Sequence, residues 1–175
     1  MATTTQAHLP ALAEPHQREE VGNQLQMTLV ELIDLSLLGK QLHWCVTGPL
    51  FRPLHEQLDE LVDSWRELSD TVAERAVALG EYPDGQSAMV SASSELHKVE
   101  RGALEDHVVV RELTTRLAEV AERVRQRMDR LGELDAASQD VLIEVLRELE
   151  KQLWMVRAQF GHAFVEARGR PLGAS

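Results

Sequence analysis

The stretch Lys40-Gln41-Leu42-His43-Trp44-Cys45-Val46-Thr47-Gly48-Pro49-Leu50-Phe51 closes one long helical pattern and opens another. Thr47-Gly48-Pro49 is a helix stop. Beyond it, Pro53 suits a first helical position, since it lacks only an N–H that would be unpaired there. Gly80 suits a C-terminal stop. Residues 53–79 therefore read as one helix. At about 100° per residue, Leu54, Leu58, Leu61, Trp65, Leu68, Val72 and Leu79 share a stripe that should face the core. His55, Asp59, Asp63, Asp70 and Glu74 share another, roughly 150° around the axis, that should face away from it. With His43 from the preceding helix, five metal-ligand candidates stand out: His43, His55, Asp59, Asp70 and Glu74.

One chain cannot gather all five. His55/Asp59 and Asp70/Glu74 are i,i+4 pairs, and each pair can share an ion. Their midpoints lie about 22 Å apart at the helical rise per residue. Metal–ligand bonds are about 2–2.5 Å long. Two antiparallel copies of this helix, crossing near Ser64 and Trp65, would place His55/Asp59 of each beside Asp70/Glu74 of the other. An isologous contact repeats every interaction, so the dimer would hold two identical sites. A polar stripe opposite a core stripe is ordinarily a solvated helix face. The two histidines and the loop between them set this one apart.

Working outward, the first helix is expected from Gln17 to Val46, with Val21, Leu25, Leu29, Leu32, Ser36 and His43 on one stripe. Tyr82-Pro83-Asp84-Gly85 is a turn cluster. A short helix is expected at 87–93. Leu113, Leu117, Val120, Val124, Met128 and Leu131 place a third long helix over 102–131, stopped by Gly132. Asp135 is the expected N-cap of a fourth, 136–166, with core face Leu142, Val145, Leu146, Leu149, Leu153, Val156 and Phe160. The expected fold is all-α: a ferritin-like four-helix bundle over 17–166, with a short helix in the long connection between helices 2 and 3. Flexible tails are expected at 1–16 and 167–175.

Composition bounds the function. The 175 residues carry 18 Lys and Arg against 29 Asp and Glu, a formal net charge of −11. That balance repels nucleic acid at long range and concentrates cations instead. No apolar run is long enough for a membrane span, and no secretory signal is visible. The single cysteine, Cys45, cannot form an internal disulfide, which fits a cytoplasmic location; its reading is a small buried hydrophobe. No phosphate loop, dinucleotide fingerprint or serine-nucleophile elbow occurs. The usual intra-bundle di-iron site needs Glu-x-x-His on two helices. The residues three before each histidine are Thr5, Ala13, Lys40, Arg52, Ser94, Leu104 and Gln159, and none is Glu. Any iron chemistry must therefore lie elsewhere.

At this point the chain resembles the Dps family, the mini-ferritins known as DNA-binding proteins from starved cells, in an actinobacterial-like form. The matching elements are Lys40-x-x-His43-Trp44, Gly48-Pro49-x-Phe51, His55 with Asp59, and Asp70-x-x-x-Glu74-Arg75. Ser138-Gln139-Asp140 and Leu149-Glu150-Lys151-x-x-Trp154 also match, within a resemblance spanning roughly residues 20–165. The resemblance implies a homododecameric shell with ferroxidase sites at its two-fold interfaces. His43, His55 and Asp59 would come from one subunit and Asp70 and Glu74 from its partner. Ferrous iron would be oxidised there by hydrogen peroxide or dioxygen, and ferric mineral stored inside, protecting the cell against oxidative stress. No haem or organic cofactor is implied. Imidazole and carboxylate donors suit iron.

Trp44 resembles a site-adjacent electron donor of the family; its other reading is core packing. Asp140 matches an acidic residue lining a three-fold entry pore, and Glu144, one turn on, extends it; Asp140 otherwise reads as a charge complementing a helix N-terminus. His8 and His16 are candidate metal-binding residues of the N-terminal tail. The chain departs from the family in having Cys45 where Asn is usual, and in having no Lys or Arg in residues 1–17. The alternative function, a nucleoid-compacting DNA-binding shell with iron oxidation secondary, is disfavoured by that uncharged tail; DNA binding is expected to be weak.

Overall fold

In the computed structural model, which describes residues 14–166 and their side chains as far as Phe160, four long helices form two antiparallel hairpins. They are α1 (Pro15–Cys45) with α2 (Phe51–Ala78), and α4 (Asp106–Leu131) with α5 (Ala136–Glu166). Short α3 (Ser87–Ser93) lies in the crossover and packs on α1. The hairpins face each other through α1 against α4 and α2 against α5. Of the tails expected at 1–16 and 167–175, residues 1–13, His8 among them, and 167–175 lie outside the described residues.

The sequence stripes become the core. Every residue of the α2 apolar stripe is buried, as are Val21, Leu25, Leu29 and Leu32 of α1. Leu113, Leu117, Val120, Val124 and Leu131 of α4 face Leu142, Val145, Leu146, Leu149, Val156 and Phe160 of α5. Met128 and Leu153 sit at its edge, partly buried. Near the middle of α2 a polar link crosses the α2–α5 seam: Trp65 Nε1 donates to Gln152 Oε1 at 2.7 Å, and Gln152 Nε2 donates to Ser64 Oγ at 2.9 Å. The buried indole N–H is thereby satisfied, as a group denied water must be.

Helix ends follow local chemistry. Gly80, with φ 82°, lets the Glu81 N–H return to the Ala76 carbonyl and its own N–H to that of Val77, closing α2 in a Schellman turn. Asp135 caps α5 by accepting the Ser138 N–H at 3.0 Å. The same carboxylate receives Arg75 Nη2 at 2.6 Å, tying the end of α2 to the start of α5.

Several boundaries differ from the sequence expectation. α1 starts at Pro15, with proline in its first turn, so His16 belongs to the helix. α2 starts at Phe51, so Pro53 is its third residue; a third N–H is equally unpartnered in a helix. α4 starts at Asp106 rather than 102, because Leu104–Glu105 forms a strand, β2. It pairs in parallel with β1, Val46–Thr47, at the end of α1. A two-residue ladder carries no alternation for a sequence pattern to reveal.

Between α1 and α4 lies a buried ion triad. The Glu31 side chain is fully buried; Arg123 Nε binds one carboxylate oxygen, and Arg127 Nη1 binds the other at 2.6 Å. Removing one member of such a group leaves a buried charge uncompensated. Glu31→Ala should therefore destabilise the fold by about 3–5 kcal/mol, read from the denaturant midpoint against wild type. A change within experimental error would show that the triad contributes nothing net.

Candidate metal centre

The turn at 46–50 brings the C-terminal turn of α1 against the first turns of α2. His43 and His55 stack there with ring centroids 3.6 Å apart and planes 22° apart. Each ring binds the other's backbone: His43 Nδ1 lies 2.8 Å from the His55 carbonyl oxygen, and His55 Nδ1 lies 3.0 Å from that of His43. A carbonyl only accepts, so both Nδ1 atoms carry the proton. Each Nε2 then keeps its lone pair, the tautomer a metal-ligating histidine needs.

Asp59 completes this end. Its Oδ1 lies 2.5 Å from Lys40 Nζ and 3.3 Å from His43 Nδ1. The shorter contact of His43, to the His55 carbonyl, claims the Nδ1 proton. The hydrogen bond from the Lys40 ammonium holds the Asp59 carboxyl below its usual range. Lys40 Nζ also lies 5.9 Å over the Trp44 ring. Trp44 is 68% exposed, so it does not pack in the core of its own chain; it stands on the surface one residue from His43. Cys45 is half-buried, with Gln41 Nε2 3.1 Å from its sulfur.

Asp70 and Glu74 are exposed further along α2, on the face that carries Asp63. Among the described residues, no three His, Cys, Asp or Glu side chains of one chain come together to hold a metal. His43, His55 and Asp59 are neighbours through these pairwise contacts without forming a three-ligand metal site, and Asp70 and Glu74 lie apart from them. Arg75 turns from the ligand stripe to Asp135 and Ser138, with its Nε 2.9 Å from Ser138 Oγ. Asp140 and Glu144 are exposed on α5 and line a groove of about 1100 Å³ with Ser64, Glu67 and Thr71 of α2.

Two residues here had no role in the sequence reading. Lys40 was visible as part of the Lys40-x-x-His43-Trp44 pattern, but nothing in that spacing links it to a carboxylate on the next helix. Asp106 is buried at the start of α4 and binds the 46–50 turn. An acidic residue just before the apolar run Val109, Val110, Leu113 marks a helix start but not a partner 56 residues away.

The Ferritin-like domain model matches residues 22–163, and the chain belongs to that family. Its relatives there include proteins named DNA protection during starvation protein, or Dps. It is 35% identical over 157 residues to the DNA protection during starvation protein of Mycolicibacterium smegmatis, covering 89% of this chain and 84% of that one. It is 35% identical over 150 residues to DNA protection during starvation protein 2 of Deinococcus radiodurans, covering 86% of this chain but only 62% of the relative. The solved structure of DpsA14 from Streptomyces coelicolor superposes with a TM-score of 0.83 at 32% identity, over 91% of this chain and 95% of the other.

Because Lys40 is the main influence on Asp59, Lys40→Met should raise the Asp59 carboxyl toward its ordinary value. Carbon-detected titration of Asp59 should show the midpoint moving up in the variant. A midpoint that stays or falls would mean that the contact is not made in solution.

Proposed function

We propose that this protein is a Dps-type mini-ferritin that oxidises ferrous iron at sites shared between two subunits. What supports this is the division of the ligand set. A histidine pair with free Nε2 atoms and one carboxylate lies at one end of α2, and two carboxylates lie about four helical turns away on the same face. Each cluster alone offers too few donors for two irons. A two-fold mate running antiparallel along α2 would supply the missing half to both sites at once.

Ferrous iron is the substrate. His43, His55 and Asp59 would hold it from one side, and the partner's Asp70 and the partner's Glu74 from the other. The reaction balances as two ferrous ions plus one hydrogen peroxide plus two protons, giving two ferric ions and two water molecules. Because both electrons arrive together, no hydroxyl radical is released; dioxygen is the second candidate oxidant. Carboxylates favour the harder ferric product. Trp44, exposed one residue from His43, would surrender an electron to an oxidant that escapes this pairing. The ferric product would be stored inside a closed homododecamer, with Asp140 and Glu144 lining the entry pore. The net charge of −11 supports cation uptake over DNA compaction. We place this activity in the cytoplasm.

Two expectations follow. The native mass should be roughly 235 kDa, twelve chains of 19.6 kDa in closed symmetry; an active monomer would refute the shared site. Separately, His55→Ala and Glu74→Ala should each abolish most iron oxidation. When the two inactive variants are unfolded together and reassembled, a mixed dimer holds one site with both lesions and one with neither. Stopped-flow absorbance should then recover part of the wild-type rate. No recovery in mixed dimers verified by mass would mean that each site lies within one subunit.

A further inference from the structure

The reciprocal histidine contacts span the turn between α1 and α2, so the geometry of that turn sets the geometry of the pair. Within the turn, the Phe51 N–H donates to the Gly48 carbonyl at 3.1 Å, and the rest of the hold comes from outside it. Leu50, at the N-cap of α2, has no side-chain cap bond to offer. Its own N–H donates instead to Asp106 Oδ2 at 2.9 Å. The other oxygen of that carboxylate, Oδ1, receives the His107 N–H at 2.7 Å. Asp106 is only 8% exposed.

The fit is close on every side. Gly48 has φ 108°, and a Cβ placed on it would come within 2.7 Å of Asp106 Oδ2. Beside this contact Val46 and Thr47 pair with Leu104 and Glu105, and Thr47 Oγ1 donates to the Leu104 carbonyl at 3.1 Å. The end of the crossover is thus strapped onto the turn. One carboxylate satisfies backbone donors at the starts of two helices, where negative charge is favoured.

We propose that Asp106 is a positioning residue for the histidine pair: by holding the Leu50 N–H it fixes the turn, and hence the spacing at which His43 and His55 present their Nε2 atoms to metal. This rests on the reading of those histidines as metal ligands. Asp106 touches no substrate and acts through the backbone of the 48–50 segment. Without it the turn can relax, and the two ring-to-carbonyl contacts lose their common register. The effect falls on metal binding, because the donors remain but are no longer held together.

The test uses the intact assembly and Zn(II), which is redox-inert, followed by calorimetry. His55→Ala defines the part of the binding that depends on the histidine pair. Asp106→Ala should weaken that part by about tenfold, the usual size of an outer-shell effect, and Asp106→Asn by less, since its amide oxygen can still accept one N–H. In iron oxidation the loss should appear in KM more than in kcat. Glu31→Gln, destabilised far from the site, should bind Zn(II) as wild type does; if it weakens equally, the effect is general loosening and the proposal fails. If His55→Ala leaves Zn(II) binding intact, the ligand reading itself fails. If His55→Ala removes it while folded Asp106→Ala binds with wild-type affinity and KM, the positioning role alone is overturned. Should Asp106→Ala not assemble, Asp106→Leu, similar in shape but without an acceptor, decides by the same readout.

Discussion

A straight helix is a ruler, and α2 is the ruler on which this protein depends. His55/Asp59 and Asp70/Glu74 sit on its outer face at a separation no side chain can bridge. Its inner face is locked by Leu54, Leu58, Leu61, Trp65, Leu68, Val72 and Leu79 against the rest of the bundle. The helix therefore cannot bend to bring the pairs together without exposing the core. Chemistry that needs both ends must take the second end from another molecule.

The neighbourhood of each end serves this constraint differently. At the histidine end, backbone carbonyls fix the imidazole tautomers, Lys40 pairs with Asp59 and lowers its carboxyl, and Asp106 holds the turn. At the other end, Asp70 and Glu74 remain on the surface while Arg75 is drawn to Asp135 at the start of α5. The basic residue next to Glu74 is thus occupied by a structural contact. On the proposed reading, this leaves the exposed carboxylates of Asp70 and Glu74 for an incoming cation. The buried Glu31–Arg123–Arg127 triad joins α1 to α4 within the bundle, away from the ligand stripe on the outer face of α2.

Much of this was legible in the residues. The 3.6-residue periodicity located all four long helices, and the Gly-Pro stop at 48–49 located the turn between the first two. Helical rise alone separated the two pairs of candidate metal ligands, and iron came from the resemblance to the Dps family. Short α3 was legible over the same residues it occupies. The parallel ladder of Val46–Thr47 with Leu104–Glu105 was not, because two residues give no period and the partners are distant in the chain. Asp106 escaped for the same reason. Its role depends on a contact across 56 residues, and its local sequence explains it fully as a helix-start acid. The exposure of Trp44 was equally beyond reach, since helical phase near a terminus cannot separate a core tryptophan from one awaiting a partner surface.

The central claim is that iron binds between subunits, with His43, His55 and Asp59 from one chain facing Asp70 and Glu74 of another. Anomalous scattering at the iron edge, recorded on crystals soaked anaerobically in ferrous salt, tests it most directly. The account predicts density at each two-fold interface, within coordination distance of His43 and His55 Nε2 on one side and the carboxylates of the partner's Asp70 or the partner's Glu74 on the other. Iron coordinated by residues of a single chain, or bound away from the two histidines, would contradict it.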